Sequence, residues 1–187
     1  MTKQRLNIDP AHSTVQFSVR HLVISKVHGA FTRWSGTIDY DAANPSESKV
    51  SAKIETASID TREAARDQHL RSADFFDAEK YPQITFESTK VQKLDVDRYR
   101  ITGDLTIHGV TREVVLETEY LGAAKDPWGN ERRGFQAKTS LNRKDFGLSW
   151  NQALETGGVL VGEKVEIALD LQTIAEKTSE NATNARA

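Results

Sequence analysis

Five histidines, His12, His21, His28, His69 and His108, are the residues in this chain best suited to metal or acid–base chemistry. None stands in a His-Glu-x-x-His or His-x-His spacing, so a zinc site would have to be assembled from separate segments. There is no cysteine, which excludes a disulfide scaffold, a thiol nucleophile and any thiolate metal ligand. Asp74 and Asp77 offer paired carboxylates for proton transfer. Acids so placed more often cap helical turns or bind a nearby cation, here Arg71. Gly157, Gly158 and Gly162 lack the Lys-Ser/Thr of a phosphate loop and read as a flexible connection, and no nucleophile elbow is present. No catalytic residue, no metal and no cofactor is therefore expected.

The segment from His69 to Pro82 asks for a different account. It places adjacent Phe75 and Phe76 among acids and behind His69 and Arg71, and it fits the patterning of neither flank. Asp60, followed by Glu63 three residues on, marks a helix start. Good helix formers follow to Leu70, and Pro82 forces Tyr81 back to an extended conformation. The pattern predicts a helix over residues 62–73 and an irregular turn over 74–80. A second aromatic cluster, Phe146, Leu148 and Trp150, lies outside the clean strand pattern. The two clusters suit the rim of one pocket.

These residues must be positioned by strands, because alternation with period two dominates the chain. Val15, Phe17 and Val19 share one face, and His21 extends that stripe. Trp34, Gly36, Ile38 and Tyr40 repeat the pattern, as do Val50, Ala52 and Ile54, and then Ile84 and Phe86. Tyr99 to Ile107, Val114 to Thr118, Phe135 to Leu141 and Val165 to Leu171 continue it. About eight antiparallel strands with one wet face suggest an up-and-down barrel or a sandwich, and long strands with short links favour the barrel. Such a barrel can fill with side chains or hold one small ligand. His108, in the turn predicted over Ile107 to Thr111, reads as structural.

Lys and Arg together number 25 against 27 Asp and Glu, so no charge excess draws the chain to nucleic acid or anionic membrane. The basic pairs Arg132-Arg133 and Arg143-Lys144 read as solvated edges. The N-terminus is polar and no apolar run approaches a membrane span, so a cytoplasmic location is expected, or a periplasmic one if a leader has been removed. Residues 1–174 read as one barrel domain and residues 175–187 as a disordered polar tail.

Taken in order, several motifs resemble the YceI-like family of bacterial proteins. They are Asp9 to Ser13 with Phe17 to His21, Val27 to Phe31, His69 to Pro82 leading into Thr85 to Ser88, Gly103 to Thr111, and Asn142 to Leu148. The likeness runs from Ile8 to Ile174. The resemblance implies an all-β fold: an extended, lipocalin-like, eight-stranded antiparallel barrel with a helical cap between its middle strands. It also implies a long apolar pocket for a polyisoprenoid lipid of the quinone or polyprenyl phosphate type, and a homodimer. Many family members are periplasmic.

On this reading the barrel interior, lined by Phe17, Val19, Ile38, Ile54, Phe86, Leu105, Ile107, Phe135, Ile167 and Leu169, would surround the lipid chain. Leu70, Phe75 and Phe76 would form the underside of a lid, with Phe146 and Leu148 on the opposite rim. His21, His69, Arg71 and Arg143 are the candidates for orienting a polar head, the arginines suiting a phosphate. Two rival readings remain: an enzyme acting on a lipophilic substrate with His21 or Asp74 as acid–base, and a dimeric interaction module with a filled core.

Overall fold

Alternating β-branched and aromatic residues build eleven strands in the computed structural model, which describes residues 3–176. In chain order they are β1 (Gln4–Ile8), β2 (Thr14–His21), β3 (Ser25–Phe31), β4 (Trp34–Tyr40), β5 (Lys49–Glu55) and β6 (Ile59–Asp60). After the helix α1 (Ala64–Arg71) come β7 (Gln83–Lys93), β8 (Arg98–Ile107), β9 (Val110–Lys125), β10 (Glu131–Asn142) and β11 (Val161–Ala175). All pairings are antiparallel, and β1 closes the sheet by bonding to both β4 and β11. The sandwich alternative is thereby removed, and the eight-stranded barrel stands.

Eleven strands make eight staves because the first three staves are each broken in two, the third into β5 and β6 at the Thr56–Ser58 turn. β1 and β2 lie against successive parts of β11, separated by a tight turn at Pro10–His12 that Asp9 caps by accepting from Ala11 N at 3.0 Å. β3 and β4 are likewise two halves, parted at Thr32 and Arg33. The sequence pattern missed β1 and β3. β3 hides its inward face behind a glycine: a Cβ on Gly29 would stand 2.3 Å from the Phe17 ring, which lies across it from the neighbouring strand.

The barrel has two unlike ends. The lid end gathers the β2–β3 and β8–β9 turns, residues 56–82 and residues 143–160. The other end carries the β4–β5, β7–β8 and β9–β10 connections. Each end has its own buried cluster: Ile84, Phe86, Leu105, Ile107, Phe146 and Leu148 toward the lid, and Leu6, Ile38 and Phe135 at the far end.

At the lid, the helix is shorter than the predicted 62–73 and its cap differs. Arg62 has φ +64° and turns the chain, so Asp60 is spent accepting from Arg62 N at 2.8 Å. Glu63 caps α1 instead, accepting from Ala65 N at 3.2 Å. Past Ser72 the chain makes irregular turns, with Asp77 at φ +46°, before β7 resumes. His108 and Gly109, at φ +54° and +72°, form the two-residue β8–β9 turn, and the Tyr81 ring packs where a Cβ on Gly109 would sit. The His108 ring meets Tyr81 edge-on at 4.7 Å.

The strand end also shifts by one residue. Ala175 pairs with Leu6 in β11, so the sheet runs past the boundary expected at residue 174. The remainder of the expected tail, residues 177–187, lies outside the described residues.

Candidate ligand-binding site

Inward positions of the staves leave a continuous cavity of about 270 Å³ between the two buried clusters. Its walls are almost wholly apolar. Along β11 the lining runs from Val161 to Leu171, a span of roughly 25 Å along the barrel for tilted strands. Pairing explains the shape: Phe17 faces Ile167, Phe86 faces Leu105, and Phe135 faces Leu171, so large side chains meet across neighbouring staves.

Most residues singled out from the sequence lie on this wall. Phe17, Val19, Ile38, Ile54, Phe86, Leu105, Ile107, Phe135, Ile167 and Leu169 all line the cavity from the strands. Leu70, Phe75 and Phe76 line it from the lid, and Leu148 and Arg143 from the facing rim. Adjacent phenylalanines both reach the cavity because the backbone there is irregular: Phe76 N bonds Leu70 O, while Phe75 N bonds Ser72 O. Phe75 packs on Trp150 and His69, and Phe76 meets Phe31 edge-on at 6.0 Å.

Four expected residues lie elsewhere. Phe146 is 1 % exposed and belongs to the core beneath the cavity, because the turn at Arg143–Phe146, ending on Gly147 at φ +76°, tucks its ring under the barrel. His21 keeps the parity of Phe17 and Val19 but stands at the tip of the β2–β3 hairpin, past the end of the wall. His69 pairs with Asp74 at 2.8 Å on the outer edge of the lid. Arg71 donates to the carbonyls of Ala57 and Ile59 at 2.8 and 2.9 Å, so it fastens the helix to the strap before it and is not paired with Asp74.

Arg143 does touch the cavity, yet its donors are spent. It is 4 % exposed and gives Nε to Gly162 O at 2.8 Å and Nη1 to Leu148 O and Trp150 O at 2.6 and 2.8 Å; Nη2 reaches Val161 O at 3.4 Å. Burial pulls this guanidinium below its ordinary pKa, partly countered by Glu163. Carbonyl dipoles hold the cation in place of a carboxylate. Of the two basic pairs only Lys144 is a solvated edge, its exposed side chain paired with Glu163. Arg132 and Arg133 have side chains only 18 % and 16 % exposed, clamped by acids and tyrosines.

Tyrosines at the far end were not among the expected site residues. Tyr40, Tyr99 and Tyr120 line the cavity there. Tyr40 and Tyr99 sit on stripes the alternation already marks, and Tyr120 continues the stripe of Val114, Leu116 and Thr118, so parity is the signal that points to them. Arg133 lies over the Tyr40 ring at 4.8 Å, and its Nη1 donates to the Tyr120 hydroxyl at 3.3 Å. Burial raises the Tyr99 phenol above its ordinary pKa, helped by Tyr40, Asp97 and Tyr120. Just outside, Arg132 bridges Asp9 and Asp126, each at 2.8 Å. Its hydrogen bond is the largest cause holding Asp9 below the usual carboxylate range; for Asp126 that place belongs to Asn130.

No group of three or more His, Asp or Glu able to hold a metal occurs among the described residues. No helix among them is long and apolar enough to cross a membrane.

Against known proteins, residues 6–173 match the family model for the YceI-like domain. Protein YceI of Escherichia coli O157:H7 is 46 % identical over 144 residues, covering 77 % of this chain and 75 % of that protein. The crystal structure of the Campylobacter jejuni YceI protein superposes with a TM-score of 0.71 at 36 % identity, over 85 % of this chain and 90 % of that one. A polyisoprenoid binding domain from Saccharophagus degradans shares the fold, with a TM-score of 0.67 at 17 % identity over 91 % of this chain and 98 % of that one.

Proposed function

Because this chain belongs to the YceI-like domain family, we propose that it binds an isoprenoid lipid reversibly inside its barrel, without covalent chemistry. The single observation that carries this reading is the apolar cavity running from the lid to the tyrosine end. Each methylene withdrawn from water contributes about 0.8 kcal/mol, so a prenyl chain gains steadily along such a wall. The polyisoprenoid binding domain of like fold supports the ligand class. A chain of several isoprene units needs more room than about 270 Å³, and the lid, joined to the sheet through irregular backbone, is the element able to yield it. The acid–base candidates lie off the cavity wall: Asp74 pairs with His69 on the outer edge of the lid, and His21 stands at the tip of the β2–β3 hairpin.

The test is to incubate the protein with liposomes carrying a long-chain prenyl lipid, separate the two by flotation, and extract the protein fraction. The expected result is near-stoichiometric lipid, chemically unchanged. Protein that repeatedly emerges empty contradicts the proposal, and lipid recovered in altered form favours an enzyme.

A further inference from the structure

The polar contacts of the cavity are concentrated at its two ends, and the ends differ in what they leave available. At the lid end every Arg143 nitrogen has a backbone carbonyl. At the other end Arg133 Nη1 and Nη2 are engaged by Tyr120, Gln4 and Glu131, but Nε is buried and has no partner among the described residues. A buried N–H without an acceptor costs on the order of 1–3 kcal/mol. Arg133 shares the inward parity of Phe135, one step nearer the end of β10, and it stacks on Tyr40, which lines the cavity. The hydroxyls of Tyr40 and Tyr99 can turn their protons to an incoming acceptor, and burial keeps the Tyr99 phenol protonated.

We propose that Arg133, Tyr40 and Tyr99 form the seat of the ligand's polar head, at the end of the barrel away from the lid, and that the head presents uncharged carbonyl oxygens. The inference rests on the lipid-binding reading above and adds an orientation: head against the tyrosines, tail toward Phe75 and Phe76. Charge decides between head types. Glu131 accepts from Arg133 Nη2, so the guanidinium is already offset, and a phosphate placed there would meet that carboxylate. A carbonyl oxygen needs only the donors the seat leaves open.

Three probes of matched chain length test this: a prenyl benzoquinone, the corresponding prenyl hydrocarbon, and the prenyl phosphate. Binding is measured on the wild type, Arg133→Met and Tyr99→Phe, each checked by thermal melting. The wild type should favour the quinone over the hydrocarbon about tenfold, the worth of one hydrogen bond from a charged donor. Arg133→Met should bring that ratio close to unity by weakening quinone binding. Tyr99→Phe should reduce it about threefold, as for one neutral hydrogen bond. A ratio that survives Arg133→Met, or a wild type that prefers the phosphate, overturns the seat while leaving lipid binding intact. Failure of the wild type to bind even the hydrocarbon overturns the lipid reading, and the seat with it.

Discussion

The two ends of the barrel each bury an arginine, and the two are used in opposite ways. Arg143 at the lid is saturated by the carbonyls of residues 148, 150, 161 and 162, and so ties the loop over residues 147–160 to the start of β11. Arg133 at the tyrosine end keeps Nε unpartnered among the described residues and is shielded by aromatic faces. A saturated cation fixes structure. An unsaturated one behind the tyrosines of a cavity is the basis of the head seat proposed above. The difference teaches that a charge at a pocket rim has a meaning only once its donors have been counted.

The largest effect should come from breaking the saturated end. Arg143→Met leaves four carbonyls without their donor and should cost roughly 3–5 kcal/mol in urea unfolding, whereas Arg133→Met should cost about 1 kcal/mol. Equal costs would erase the distinction. Next come the lid phenylalanines. Phe75 is 7 % exposed and wedged against Trp150, so Phe75→Ala should lose about 3 kcal/mol. Phe76 is only half-buried, and Phe76→Ala should instead speed lipid release about tenfold in stopped-flow exchange. If Phe76→Ala lowers only stability, the segment braces the barrel and does not gate it.

A smaller gain lies in the β2–β3 turn at the lid end. Leu22 and Val23 sit at φ +54° and +66°, in a conformation that a β-branched residue adopts only under strain. Val23→Gly should raise stability by about 1 kcal/mol in thermal melts. It would also trim an exposed apolar tip, since Val23 and Ile24 are 64 % and 84 % exposed.

Acid should act on the tyrosine end. Asp9 and Asp126 are both held below their ordinary value of 3.8. Their contribution to stability is therefore complete above that value and drains away as pH falls below it toward the depressed folded values. Arg132→Gln should flatten this acid limb in pH-dependent melts, lowering stability at neutral pH and converging on the wild type in acid. An unchanged limb would show that the Asp9–Arg132–Asp126 clasp is not what acid breaks.

Alternation made the barrel legible from sequence because each stave has one dry face, and the parity of Phe17, Leu105 or Ile167 survives without knowing any partner strand. The adjacent Phe75 and Phe76 marked the lid for the converse reason: no regular element turns two neighbours the same way. What stayed hidden depended on partners distant in the chain. Arg71 and Arg143 looked like ligand cations until their carbonyl acceptors were in place. Arg133 looked like a solvated edge until Tyr40, some ninety residues earlier, came to lie beneath it. β3 was overlooked because Gly29 leaves its inward position to the ring of Phe17.

The central claim, that the barrel interior holds the lipid, is tested most directly by plugging it. Thr139 lines the middle of the wall opposite Ile167, and a tryptophan there would fill the channel. Native mass spectrometry after exposure to prenyl-lipid vesicles should show the wild type carrying lipid and Thr139→Trp, still melting cooperatively, carrying none. Lipid retained by a folded Thr139→Trp protein would contradict the account.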